Sequence, residues 1–301
     1  MLHDDRTTYL TGIGLKIGAT FFTTATIAAI KLLDDDIPLG QIVFARAFPT
    51  LPIVCLFLVS KGTMLRSLQT REPFSHLFRG LIGGLGMLAW FSAVQRLPLS
   101  DAQAIAFASP LIGVILAVLM LKEKVQIYRW SAVVIGFLGV IMILSEHLFV
   151  GQISDRDPLG ALFALVFAGL LALASIQVRK MTNSEGTEAI VLYFALVTSV
   201  FGLMTLPFGW VVPDLRQALL LLFIGIAGAA AQLTLTHALK FSEASALALF
   251  DYVSMLWVIA FGILIFDEIP SGAVLGGSAI IAASGIFVML RERAIRRRDR
   301  L

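Results

Sequence analysis

Residues 77–121 read LFRGLIGGLGMLAWFSAVQRLPLSDAQAIAFASPLIGVILAVLML. Two apolar runs, 77–96 and 99–121, are parted only by Leu97 and Pro98. A helix of about 20 apolar residues spans the hydrocarbon core of a bilayer. A proline at such a junction ends one helix and opens the next. So short a connection makes the two runs an antiparallel pair of membrane helices.

The same punctuation by Pro, Gly and charged clusters repeats along the whole chain. Candidate spans fall near 9–32, 38–60, 77–96, 99–121 and 128–146, then near 158–178, 188–209, 215–239, 244–266 and 271–290. Hydrophobic residues make up 58% of the 301 residues and charged ones 14%, against about 25% charged in an ordinary soluble domain. A water-facing fold of this size needs far more polar surface. No small-residue cleavage site follows the first apolar run, so that run is read as a retained helix. Cys55 is the single cysteine and lies in an apolar run, so neither a disulfide framework nor a cysteine metal site is expected.

Lysine and arginine set the orientation, because cytoplasmic loops keep positive charge. With the N-terminus inside, the alternate segments on that side hold 17 basic residues, six of them between Arg291 and Arg300. The opposite segments hold four: Lys31, Arg96, Arg156 and Arg216. Ten helices with both termini cytoplasmic follow. The net charge of +3 is concentrated in the C-terminal tail, which marks a membrane side and not a nucleic-acid partner.

A shift of 145 residues lays the second half on the first. Gly80 and Gly83 then fall on Gly225 and Gly228, Ala93 on Ala238, Ser100 on Ser245, Ser109 on Ser254, and Glu123 on Glu268. Each half contains five spans, so the two copies enter the membrane in opposite directions. This is the inverted-topology repeat of many secondary transporters.

The stretches Arg79-Gly80, Leu97 to Ala102, Ser109-Pro110, Lys122-Glu123 and Trp130 through Gly139 resemble the first EamA repeat of the drug/metabolite transporter superfamily. Asp251-Tyr252 with Leu256-Trp257, Asp267-Glu268, and Ser284-Gly285 to Arg291-Glu292 resemble its second. The resemblance implies an all-α integral membrane fold of two inverted five-helix repeats, residues 9–146 and 158–290, with a basic cytoplasmic tail at 291–301. It further implies alternating access through a central cavity lined by the first four helices of each repeat, with the fifth and tenth helices peripheral or at homodimer contacts. The pattern is most similar to a bacterial branch with riboflavin importers (RibN-type) and S-adenosylmethionine uptake carriers, in the inner membrane. Amino-acid exporters of the superfamily are more distant.

Ionisable groups inside a bilayer cost about 2.5–3.5 kcal/mol each near its centre, so they face a cavity or a partner. Lys16, Arg46 and Asp251 are the clear cases, with Gln103, Gln232 and His237 as a milder polar set. Lys16 and Asp251 both lie about two helical turns from the cytoplasmic side, at one depth, and are expected to form either a charge switch or a fixed ion pair. Arg46, about two turns from the outer end, is placed to grip a carboxylate, phosphate or carbonyl, or else to anchor on Asp34 to Asp36. Trp90, Tyr252 and Trp257 are expected to line the cavity and stack on a flat heteroaromatic cargo. The glycines of the third and eighth spans permit close helix approach, Pro49 and Pro110 are expected to kink their helices, and Glu123 and Glu268 are given structural capping roles.

No HExxH, GxSxG or GxxxxGK[ST] sequence occurs, so neither an enzyme nor a nucleotide cofactor is expected. An integral-membrane enzyme would cluster its histidines, but His3, His76, His147 and His237 are scattered. A non-transporting scaffold would leave three buried charges without purpose. The function expected is secondary transport of a small metabolite, with riboflavin uptake first, and S-adenosylmethionine uptake or metabolite export as alternatives.

Overall fold

The computed structural model describes residues 2–33, 36–122, 126–148, 157–182, 184–241 and 247–298. Among the expected features, Asp34, Asp35, Glu123, Arg156 and Ser245 lie outside these residues.

Every regular element among the described residues is helical: α1 (Leu2–Lys31), α2 (Leu39–Ala47), α3 (Thr50–Ser60), α4 (Met64–Leu68), α5 (Pro73–Arg96), α6 (Leu99–Ala106), α7 (Ser109–Leu121), α8 (Ile127–Leu148), α9 (Pro158–Met181), α10 (Thr187–Leu203), α11 (Leu215–Phe241), α12 (Val253–Phe266) and α13 (Gly272–Arg298), with short 3-10 turns at Leu206–Phe208 and Ala248–Tyr252. Seven segments are long and apolar enough to cross a membrane: Leu10–Lys31, Leu39–Ser60, Pro73–Arg96, Leu99–Met120, Pro158–Met181, Glu188–Phe208 and Leu215–Leu235. Trp130–Ser145, Phe250–Phe266 and Gly272–Val288 are shorter apolar helices. The chain is a multi-pass membrane protein.

The helix ends follow their sequences. Pro73 and Pro158 stand in the first turns of α5 and α9, where a missing N–H costs nothing. Asp157 caps α9 by accepting from the N–H groups of Leu159 (2.9 Å) and Gly160 (3.0 Å). The second and fourth candidate spans are each two helices, α2–α3 and α6–α7, jointed just before or at Pro49 and Pro110. The chain stays in the helical region through Phe48 and Pro49, so that joint is a kink and not a turn. The ninth span has a matching joint without proline, where the 3-10 turn ending at Tyr252 meets Val253. Phe107, which caps α6, and Tyr252 are 145 residues apart and meet edge to face, ring centres 5.2 Å apart. Lys122 and Asp267 are the only non-glycine residues with positive φ among those described, both at 54°. They end α7 and α12, again 145 residues apart.

Packing is reciprocal. α1 lies along α11 and α5 along α9; α2 meets α10, and α8 meets α13. Gly139 of α8 and Gly277 of α13 bring those two backbones so close that a Cβ on either would lie 2.7 Å from the other's carbonyl oxygen. α13 runs without interruption from Gly272 into the basic stretch, ending at Arg298. Arg79, counted in the sequence among loop charges, sits inside α5.

Candidate functional site

A cleft of about 310 Å³ lies between α2, the start of α3, α5, α10 and α11, lined by Arg46, Ala47, Thr50, Met87, Val191, Phe194, Ala195, Thr198 and Gln232. Six of these form three pairs at a spacing of 145: Arg46 with Val191, Thr50 with Ala195, and Met87 with Gln232. The walls are therefore equivalent positions of the two halves, and they differ in chemistry. α2 offers a guanidinium and a hydroxyl, whereas the matching positions on α10 are apolar.

Arg46 reaches the cleft because α11 has no side chain in its way. A Cβ on Gly228 would run into the Arg46 guanidinium, and one on Gly225 would lie 2.7 Å from the Ala45 carbonyl oxygen. The two glycines thus form a groove that seats the end of α2. No ion pair joins Arg46 to a carboxylate among the described residues. Asp36, the described member of the acidic run expected as its anchor, accepts instead from Gln217 Nε2 at 3.3 Å.

Lys16 and Asp251 do meet, Nζ to Oδ1 at 2.6 Å, with the lysine side chain 9% exposed and the aspartate 56%. The Asp251 carbonyl accepts from Ser254 Oγ at 2.6 Å, and Ser254 Oγ accepts from Gln103 Nε2 at 3.3 Å. Gln103 therefore belongs with the Asp251 turn. This cluster ties α1, α6 and the start of α12 together and contributes no residue to the cleft wall.

The aromatic candidates are already engaged by the protein. Trp90 is buried and stacked on Phe167 (4.6 Å, 29°), and Trp257 stands edge-on to Phe21 at 5.3 Å. Tyr252 meets Phe107, its hydroxyl lying where a Cβ on Gly285 would stand. His237 lies 6.0 Å from the Phe57 ring. None of the four lines the cleft. Sequence reasoning missed Phe194 and Thr198, which it had placed in an ordinary apolar span. Their signal was a position one and two turns beyond Val191, the offset partner of Arg46.

Polar contacts fasten the bundle at both ends. At one end, Lys31 pairs with Glu268 Oε1 and donates to the Leu97 carbonyl at 2.6 Å, while Glu268 Oε2 accepts from the Leu99 N–H at 2.8 Å. Glu268 thus takes the structural role expected of it. Nearby, Arg96 Nη1 pairs with Asp157 at 3.0 Å. Burial alone would raise the Asp157 pKa, but the N–H groups of Gly160 and Leu159, with Arg96, hold it below its ordinary value.

At the other end, Glu185 Oε1 accepts from Thr70 Oγ1 (2.8 Å), the Arg71 N–H (2.8 Å) and the Glu72 N–H (3.1 Å). His76 Nε2 lies 3.5 Å from Glu185 Oε2, beyond a good hydrogen bond, and its ring packs 4.5 Å from that of Tyr193. Burial pushes the Glu185 pKa up, but these donors outweigh it and depress the pKa. Glu72 is held low first by Ser184 and then by Ser75. Among the described residues no group of three His, Cys, Asp or Glu stands where a metal ion would be held.

Residues 10–145 match the EamA-like transporter family. Over 292 residues the chain is 28% identical to the S-adenosylmethionine uptake transporter of Rickettsia conorii, covering 97% of each chain. It is 28% identical over 280 residues to a pseudopaline exporter of Pseudomonas aeruginosa, covering 91% of this chain and 94% of that one. The riboflavin transporter of Vibrio cholerae is 27% identical over 288 residues, with 95% and 94% covered. A solved crystal structure, 18% identical, superposes with a TM-score of 0.65 over 96% of this chain and 99% of the other, a likeness of fold.

Proposed function

From the EamA family domain that the chain carries at residues 10–145, we propose that this membrane transporter is a secondary carrier of a carboxylate-bearing metabolite, with S-adenosylmethionine as its cargo. It works by alternating access in a ten-helix frame of two inverted repeats, 9–146 and 158–290, with both termini and the basic tail 291–301 in the cytoplasm of a bacterium. Four features at the spacing of 145 support the frame: the joints at Phe107 and Tyr252, the left-handed caps at Lys122 and Asp267, the paired cleft walls, and the exchange of α1–α11 for α9–α5 packing. Carriers built on inverted repeats bind cargo where the repeats meet.

The choice of cargo rests on one observation. Arg46 presents a guanidinium to the cleft with no described carboxylate paired to it. A planar guanidinium matches a carboxylate in a two-point contact. Riboflavin, first in the sequence reading, drew its support from Trp90, Tyr252 and Trp257, and these rings pack on Phe167, Phe107 and Phe21. S-adenosylmethionine is the printed cargo of one relative. It carries one carboxylate for Arg46 and an apolar-edged base for the Val191, Phe194 and Ala195 wall. Asp251, more than half exposed, is then free to exchange Lys16 for a cationic group of the cargo.

The test is uptake of labelled S-adenosylmethionine by cells expressing the chain, with riboflavin and amino acids as competitors. Uptake that riboflavin leaves unchanged is expected, and Arg46→Ala should raise the apparent KM about tenfold or more, the worth of a charged hydrogen bond. Wild-type affinity in Arg46→Ala would remove Arg46 from binding. Uptake of riboflavin in place of S-adenosylmethionine would restore the aromatic cargo.

A further inference from the structure

Transport through Arg46 leaves a second membrane-embedded arginine without a role. Arg79 lies on the face of α5 that carries Gly83 and Met87, since residues four apart stand one turn above another. Its guanidinium carbon sits 4.2 Å from the centre of the Phe194 ring. Its Nε is buried with no hydrogen-bond partner among the described residues, and none of their carboxylates pairs with it. Phe194 in turn lines the cleft, as does Met87, one turn beyond Gly83. Gly83 is what lets arginine and ring meet, because a Cβ there would strike the Phe194 ring and lie 2.9 Å from Arg79 Nη1. The order outward from the cleft is therefore Arg46, the Phe194 ring, Arg79.

A ring face attracts a guanidinium but satisfies none of its N–H groups. An arginine held in a membrane segment with a buried donor unmet is set to take an anion once one arrives. Phe194 covers Arg79 on its cleft side, and rotation of one aromatic side chain exposes it.

We propose that Arg79 is a second carboxylate-binding position, closed in this structure by Phe194. The cargo's carboxylate passes between Arg46 and Arg79 as that ring turns aside. This rests on the reading of Arg46 above and extends it from a binding point to a path. It makes the N-terminal half of α5 and the middle of α10 the exit from the cleft on that side of the membrane.

The experiment uses the full chain in membranes, with Cys55→Ala as background and Arg79→Cys as the reporter, labelled by the anionic reagent 2-sulfonatoethyl methanethiosulfonate. S-adenosylmethionine is expected to slow labelling about tenfold, the fold-change of one lost charged contact, while riboflavin leaves it unchanged. Adding Phe194→Leu should speed labelling without cargo. A rate that S-adenosylmethionine does not alter, or that Phe194→Leu does not raise, overturns the proposal. Wild-type uptake measured in parallel separates the two readings. Uptake without protection sinks Arg79 alone, whereas no uptake by the wild type sinks the cargo and this path with it. Should Arg79→Cys fail to accumulate, Phe194→Cys on the other side of the contact takes its place, with the same protection expected.

Discussion

Glu185 accepts three hydrogen bonds from the 70–72 turn while lying 4% exposed, so the turn is held only while that carboxylate is ionised. Its pKa is depressed below the ordinary value in the folded chain. The stabilisation is therefore full above the unfolded pKa and disappears as pH falls through the lower, folded one. Glu185→Ala should lower the thermal midpoint of the detergent-purified protein at pH 7, and the gap from wild type should close in acid below the usual carboxylate range. A gap that persists unchanged there would remove the carboxylate from the clasp. At this scale the sequence was legible where bilayer physics restricts the choices: Lys16 and Asp251 had to find partners, and they found each other. It was illegible in the loops, where Glu185 and Thr70 look like any solvated residues. The aromatic residues were misjudged as cavity linings because a ring's identity does not say which neighbour it faces.

The joints and crossings of helices follow from small residues and prolines, and two glycines of α11 separate fold from function. Gly228→Ala would press on the end of the flexible Arg46 side chain, which can shift. The protein should fold normally while its affinity for cargo drops as Arg46 leaves its place. Gly225→Ala presses instead on the Ala45 carbonyl at 2.7 Å and on Pro49, neither of which can yield easily. That change should cost about 1–3 kcal/mol of stability, the usual range for overpacking. Thermal unfolding and cargo titration of both variants check this, and equal loss of stability in the two would contradict it. The joints before Pro49 and Pro110 were readable from proline itself. The joint at Tyr252 has no such mark, and only its distance of 145 residues from Phe107 points to it. Nor did the charged run at the C-terminus announce that α13 would carry it, since arginine is itself a good helix former.

For the whole molecule, the bias of basic residues predicts both termini in the cytoplasm. A green fluorescent protein fused to the C-terminus should fluoresce, and alkaline phosphatase placed after Pro213, in the connection between α10 and α11, should be active in the periplasm. The reverse pattern would invert the frame and exchange its two clasped ends. Apolar run lengths made the membrane fold legible, and a few glycine and serine identities at one offset exposed the two halves. The cleft was not legible, because it is made by equivalent positions whose chemistry has diverged, such as Arg46 and Val191.

That divergence has an electrical consequence. One wall carries a single fixed positive charge and the equivalent place on the other carries none. A monocarboxylate at Arg46 is therefore neutralised at the depth where a lone ion meets its highest dielectric barrier. A metal cation or polyamine entering the same cleft meets repulsion at that depth. The cleft thus rectifies by sign before it discriminates by shape. A membrane potential, worth about 2.3 kcal/mol per elementary charge at 100 mV, then acts on the paired cargo mainly through whatever charge it carries beyond the one Arg46 has matched.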